Sequence, residues 1–132
     1  MLRFLLDTNL CIRVLRDRTP SLRDKFNREA DALATSTIVL TELLHGVAKS
    51  ARPEANRREV ENLAARLEVL QYDVAAAHHA ADIRATLERQ GRVIASYDVL
   101  IAGHARSRGL IVVTSNRSGF DRVDGLRCED WR

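Results

Sequence analysis

The chain opens on a nearly all-apolar run, residues 2–6, that ends on a carboxylate: Phe4, Leu5 and Leu6 lead directly into Asp7. A strand with no polar face must be covered on both sides, and a parallel sheet sandwiched between helices does this. The rest of the chain alternates as such a fold requires. Asp7, Thr8 and Asn9 supply capping oxygens for a short helix through Ile12, Val14 and Leu15, and Pro20 opens a second helix with Leu22, Phe26 and Ala30 at helical spacing. Residues 34–38 read as the second strand, and residues 41–46 belong to the helix after it. Pro53 starts an amphipathic helix carrying Val60, Leu63, Ala64 and Leu67, which feeds a strand at 68–72. Asp73 caps a helix over 75–90 that buries Ala80, Ile83 and Leu87, exposes Arg84, Glu88 and Arg89, and stops at Gly91. Ser96 precedes a helix over 98–108 closed by Gly109, a strand at 110–114 follows at once, and 126–128 reads as a short edge strand. Strands alternating with helices predict right-handed crossovers and an α/β fold with a central parallel sheet of four to five strands.

The length, 132 residues, suits one domain spanning 1–132 and is too short for two. A domain of this size buries roughly two-thirds of its unfolded surface, so folding needs neither a disulfide nor a structural metal. With 45% hydrophobic and 30% charged residues the composition is globular and excludes a disordered chain. Cys11 and Cys128 show no metal-ligand spacing and read as reduced thiols, neither a nucleophile. The first apolar run is too short to cross a bilayer and Asp7 interrupts any secretory pattern, so a cytoplasmic protein without membrane contact is expected. Net charge is only +3, yet all cations except Lys25 and Lys49 are arginines, whose planar head grips phosphate and stacks on bases.

Three acids stand beside apolar surface: Asp7 after the first strand, Glu42 before Leu43 and Leu44, and Asp98 at the head of an amphipathic helix. In open α/β folds the carboxyl edge of the sheet is where sites form. Acids desolvated there repel one another, and a divalent cation offsets that cost; Mg²⁺ or Mn²⁺ suits an all-oxygen set. Asn116, at the end of the fourth strand, can orient water or phosphate, and Thr8 and Ser96 can donate hydrogen bonds to the acids. A competing chemistry needs no metal: His45 and His104 on flanking helices would cleave RNA as a general acid/base pair. His78 and His79 point in different directions on one helix and add no constellation. The lack of any lysine after Lys49 counts against a phosphoryl-receiver domain, and Asn9 where a second acid belongs counts against a haloacid-dehalogenase-type phosphatase, so both readings fall behind.

The ordered set Leu5-Leu6-Asp7-Thr8-Asn9, Thr41-Glu42-Leu43, Tyr97-Asp98-Val99-Leu100-Ile101-Ala102-Gly103-His104-Ala105 and Val113-Thr114-Ser115-Asn116 resembles the PIN-domain proteins, most of all the VapC toxins of bacterial toxin–antitoxin pairs. The likeness runs through Arg66-Leu67-Glu68-Val69-Leu70 and Gly125-Leu126-Arg127 to Glu129-Asp130-Trp131, essentially the whole chain. It implies a PIN-like α/β/α sandwich, a Mg²⁺- or Mn²⁺-dependent endoribonuclease, and Asp7, Glu42 and Asp98 as its metal-binding and catalytic acids. The family usually carries a fourth acid shortly after the asparagine; Gly119 stands at that place here, with Asp121 the acid that can substitute. The resemblance also implies a homodimer, inhibition by a VapB antitoxin in a VapBC hetero-oligomer, and operator DNA bound through the antitoxin. The expected substrate is a tRNA anticodon loop, with initiator tRNA the leading choice, because unstacked bases and backbone of a single-stranded loop can enter an acidic pocket. Hydrolysis by a metal-activated water leaves a 5′-phosphate and a 3′-hydroxyl. Arg13, Arg92, Arg106 and Arg117 are the candidates for gripping the RNA, and Leu22, Phe26, Leu43, Leu44 and Val47 for a groove that takes an antitoxin helix. The alternative is a PIN-fold module that binds RNA or sequesters a partner with little catalysis.

Overall fold

The computed structural model describes residues 1–16 and 19–131. Five strands, β1 (Phe4–Leu6), β2 (Leu33–Ser36), β3 (Glu68–Leu70), β4 (Ile111–Thr114) and β5 (Cys128–Asp130), form one sheet in the order β3-β2-β1-β4-β5. Every neighbouring pair is parallel. Around the sheet lie α1 (Thr8–Arg16), α2 (Pro20–Arg28), α3 (Thr37–Ala48), α4 (Pro53–Ala65), α5 (Val74–Arg89) and α6 (Ser96–Arg108). The centre is β1, with Leu5 paired to Ala34 on one side and Val112 on the other, and Leu5 and Leu6 are completely buried. The expected two-sided apolar strand is thus the innermost one. The chain winds from β1 outward through β2 and β3, then crosses back to β4 and β5, so the winding reverses at β1 and β4. That reversal opens a crevice above their carboxyl ends.

The boundary of the second strand differs from the sequence expectation for a physical reason. Thr37 and Ile38 are helical, because the Ser36 hydroxyl accepts the Ile38 N–H at 3.0 Å and caps α3. β-branched residues favour a strand, but a cap followed by helix-wide packing overrides that preference. Likewise α6 starts at Ser96 rather than Asp98, the edge strand is Cys128–Asp130 rather than 126–128, and Ala30 sits in a short 3₁₀ turn after α2. Asp73 caps α5 as expected, accepting the Ala76 N–H at 2.9 Å. Gly109 ends α6 with a left-handed φ of 65°, a conformation glycine adopts without steric cost.

The last described residue closes the core. Trp131 is buried, with its ring edge-on to Phe4 at 5.2 Å and the Lys25 ammonium over its face at 5.0 Å. Trp131→Ala is expected to cost about 3–5 kcal/mol, the range for emptying a buried aromatic site, read as a lower urea midpoint with an unchanged slope.

Candidate active site

Asp7 is the residue that the fold delivers most directly. It leaves β1 with its N–H still bonded to the Val113 carbonyl at 3.0 Å, and its carboxylate accepts the Leu10 N–H at 2.8 Å across the first turn of α1. The Thr114 hydroxyl supplies a further bond. Only 2% of Asp7 is exposed. Burial outweighs these hydrogen bonds, and the neighbouring charges of Asp98 and Glu42 add repulsion, so its pKa is pushed up to about 6. Asp98, in the first turn of α6, is also raised, by burial first and Glu42 second. Among the described residues neither acid has a lysine or arginine ion-pair partner. Glu42 lies on α3, where the Thr8 hydroxyl donates to its Oε1.

Asp7 and Asp98 share a cleft of about 200 Å³, rimmed by Asn9, Asn116, Ser118 and Arg122 and walled by Ile94 and Phe120. Glu42 lines instead a different cleft, with Ile12, Leu43 and Val47. Its charge still bears on both of the other acids and raises them. Among the described residues no three His, Cys, Asp or Glu side chains form a finished cation cage. The donor set nevertheless suits a hard divalent ion: carboxylate oxygens, those of Asp7 and Asp98 raised in pKa and, among the described residues, ion-paired to no lysine or arginine.

The supporting residues divide. Asn116 lines the acid cleft, and its Oδ1 accepts from the Ser118 hydroxyl at 2.9 Å and the Ser118 N–H at 3.3 Å, leaving the amide NH₂ as the free face. Thr8 supports Glu42 rather than Asp7. Ser96 is not among the residues lining the acid cleft; it lines a separate cleft with Arg84, Leu87 and Val93, at the first residue of α6. Asp121 does not stand in for a fourth acid. It is exposed, pairs with Arg117 at 3.3 Å and accepts from the Cys128 thiol at 3.0 Å, and these bonds hold its carboxyl below the ordinary range. Gly119 does line the cleft, and a side chain there has room: its Cβ would lie 3.6 Å from Ile94 and 4.0 Å from Asp98 Oδ2.

The arginines fare unevenly. Arg106 is structural, bound to His79 Nδ1 at 2.9 Å, Asp82 at 2.8 Å and the Asp124 carbonyl at 3.0 Å, so it ties α5 and α6 to the loop before β5. Arg117 is engaged by Asp121. Arg92 is exposed on the loop after α5, and Arg13 lies one helical turn beyond Asn9 on α1. The sequence reading missed Arg122, whose head donates to the Val93 carbonyl at 3.0 Å while the residue lines the acid cleft. It also missed Asn9, which adjoins Thr8 in the capping trio and needed only that adjacency to be considered.

No histidine pair forms. His104 is fully buried with Nδ1 bonded to Ser36 Oγ at 2.8 Å, His45 is exposed on α3, and His79 accepts from Arg106. Burial raises the Cys11 thiol to about 12, and burial aided by Asp121 raises Cys128 to about 11, so neither is a nucleophile. A second feature is an apolar groove next to the cleft of Glu42. Leu22 and Phe26 floor a groove of about 220 Å³ between α1, α2 and α4 with Val14, Leu15 and Leu63, adjoining the cleft of Leu43 and Val47. Leu44 points outward instead. Among the described residues no helix is long and apolar enough to cross a membrane.

Known proteins share this sequence and architecture. The PIN domain family model matches residues 4–126. The chain is 50% identical over 131 residues, 99% of either chain, to the tRNA(fMet)-specific endonuclease VapC of Shigella flexneri. It is 41% identical over 99% of either chain to ribonuclease VapC2 of Haemophilus influenzae. The crystal structure of DNA-bound VapBC from Salmonella typhimurium contains a chain that superposes with a TM-score of 0.97 at 48% identity, covering 100% of both.

Proposed function

Because this chain belongs to the PIN-domain family, and within it to the VapC ribonucleases, we propose that it is the toxin of a toxin–antitoxin pair and a Mg²⁺- or Mn²⁺-dependent endoribonuclease. The observation that carries this reading is the pair Asp7, buried, and Asp98, half-buried, two carboxylates in one cleft at the switch point of the sheet, raised in pKa and, among the described residues, without a lysine or arginine ion-pair partner. Asp7, Asp98 and Glu42 would hold the ion. When bound, the ion would supply Lewis-acid polarisation of a phosphate oxygen and a water made acidic enough to attack at neutral pH.

The chain's own groups do the rest. The Leu10 N–H and the Thr114 hydroxyl fix Asp7, and Thr8 holds Glu42 against rotation away from the pair. Asn116 and Arg122, which line the same cleft, would donate to phosphate oxygens from the amide NH₂ and the guanidinium. Arg13 and Arg92 lie further out, where they would track the backbone of a single-stranded loop. The substrate we assign is the anticodon loop of initiator tRNA, in line with the Shigella flexneri relative's name. The groove floored by Leu22 and Phe26 would receive an apolar helix of a VapB antitoxin, whose arginine can neutralise the acids next door. Assembly as a homodimer and a VapBC complex on operator DNA, action in the cytoplasm, and a single domain over 1–132 complete the proposal.

The test is cleavage of initiator tRNA by the purified protein with its ends mapped. Expected are cuts in the anticodon loop that leave 5′-phosphate and 3′-hydroxyl ends and vanish with EDTA. Cyclic phosphate ends, or cutting that survives EDTA, would overturn the metal mechanism.

Protons and the ion compete for Asp7. Its folded pKa of about 6 means the free site takes up a proton just below neutrality. Cleavage at limiting Mg²⁺ is therefore expected to fall as pH drops through about 6, and the midpoint to move lower as Mg²⁺ rises, seen in rate–pH profiles at several Mg²⁺ concentrations.

A further inference from the structure

His104 is a fully buried ionisable side chain that the chemistry above does not use. It is 0% exposed on α6, flanked by Ile101 and Ala105 and edge-on to Tyr72 with ring centroids 5.7 Å apart. Its Nε2 has no hydrogen-bond partner. An imidazole in such a place costs more than a leucine of similar size, so packing alone gives no reason for it. Its side-chain hydrogen bond is the 2.8 Å contact between Nδ1 and Ser36 Oγ, with the Gln71 backbone a weaker polar neighbour. That same oxygen accepts the Ile38 N–H and caps α3.

We infer that His104 is a positioning residue for the nuclease reaction: by bonding the Ser36 cap, it fixes α6, which carries Asp98, against α3, which carries Glu42. Either tautomer keeps the bond, since the Ser36 hydroxyl can donate to a bare Nδ1 or accept from a protonated one. The contact is therefore geometric and moves no proton. Asp98 lies six residues before His104, and Glu42 six residues after Ser36, so each acid stands about 9 Å along its helix from the tie. A tilt of about 5° at the tie moves either acid by about 0.8 Å, beyond the roughly 0.5 Å within which a catalytic constellation must be held. Thr35 makes the same kind of tie on the neighbouring strand, its hydroxyl donating to the Leu6 carbonyl at 2.8 Å just before Asp7.

The catalytic side of this inference rests on the nuclease reading; the coupling of the two helices does not. The experiment compares the wild-type protein with His104→Leu, Ser36→Ala, the double variant and His104→Asn, whose amide reaches the place of Nδ1. Each single removal is expected to lower kcat by about tenfold with KM within about twofold, the double variant to be no slower than the slower single, and His104→Asn to recover to within about threefold of wild type. In the metal-free protein, hydrogen exchange at the Ile38 amide should quicken by about tenfold in His104→Leu, while Mn²⁺ alone binds several-fold more weakly. Losses that multiply in the double variant, an unchanged kcat, or an Ile38 amide indifferent to His104 would overturn the inference. If His104→Leu fails to fold, Ser36→Ala and His104→Asn decide by the same measures. Absence of wild-type RNA cleavage would remove the nuclease reading, while the exchange and Mn²⁺ measurements still decide the coupling.

Discussion

Asp7→Asn should abolish RNA cleavage and yet make the metal-free protein more stable. Cleavage is expected to fall on the order of 10³-fold, the scale on which losing a central charge-stabilising group acts. The stability gain follows from the carboxylate's raised pKa. An acid lifted from 3.8 to about 6 on folding stabilises the native state while it is protonated, below about pH 4, and that contribution is lost as pH rises through about 6. At pH 7 the buried charge costs the native state on the order of 3 kcal/mol. Asparagine keeps an oxygen for the Leu10 N–H and carries no charge, so it should recover about 2 kcal/mol and raise Tm by about 6 °C at pH 7. Thermal melts at pH 5 and pH 7 check the sign: the advantage over wild type should shrink at the lower pH. Saturating Mn²⁺ should reverse the order, because it stabilises only the form that binds it.

The second large effect is structural. Gly103 lies where α6 crosses α5, and a Cβ built on it would sit 2.6 Å from the N, Cα and Cβ of Ala80. Two of those three atoms are backbone, so no side-chain rotation relieves the clash. Gly103→Ala is expected to force the helices apart at a cost of about 3 kcal/mol or more, with Tm lower by about 10 °C and cleavage lost in step, since the same helix presents Asp98. Ala80→Gly in the same chain should recover only part of the loss, because it removes one of the three contacts. Calorimetry of the two single variants and the double variant reads this directly.

Neither effect is equally visible in the bare sequence. The apolar run before Asp7 announced both the central strand and the acid at its carboxyl edge, because a two-sided apolar strand can lie in few places. The acids on α3 and α6 were legible from their position beside apolar residues at helical spacing. Gly103 was not, since a glycine inside a helix declares a close approach only once its neighbour is known. The start of α3 was misread because Thr37 and Ile38 favour a strand locally, while the Ser36 cap decides the matter through a hydrogen bond that spacing does not reveal. Arg106 and Arg117 looked like RNA contacts for the same reason: their carboxylate and carbonyl partners are distant in sequence or hidden in the loop before β5. Arg122 is not legible because only the folded turn of Phe120–Arg122 brings it to the cleft that Asp7 and Asp98 line. Ser96 and Asp121, expected beside the acids, stand elsewhere: Ser96 lines a different cleft, and Asp121 is held by Arg117 and Cys128.

The claim on which the chemistry depends is that these acids gather a divalent ion. Anomalous diffraction from crystals soaked in Mn²⁺ tests it most directly. The account predicts a strong peak coordinated by Asp7 and Asp98, with Glu42 drawn toward it, that disappears in Asp7→Asn. An empty cleft at saturating Mn²⁺, in a protein that still cuts RNA, would contradict it.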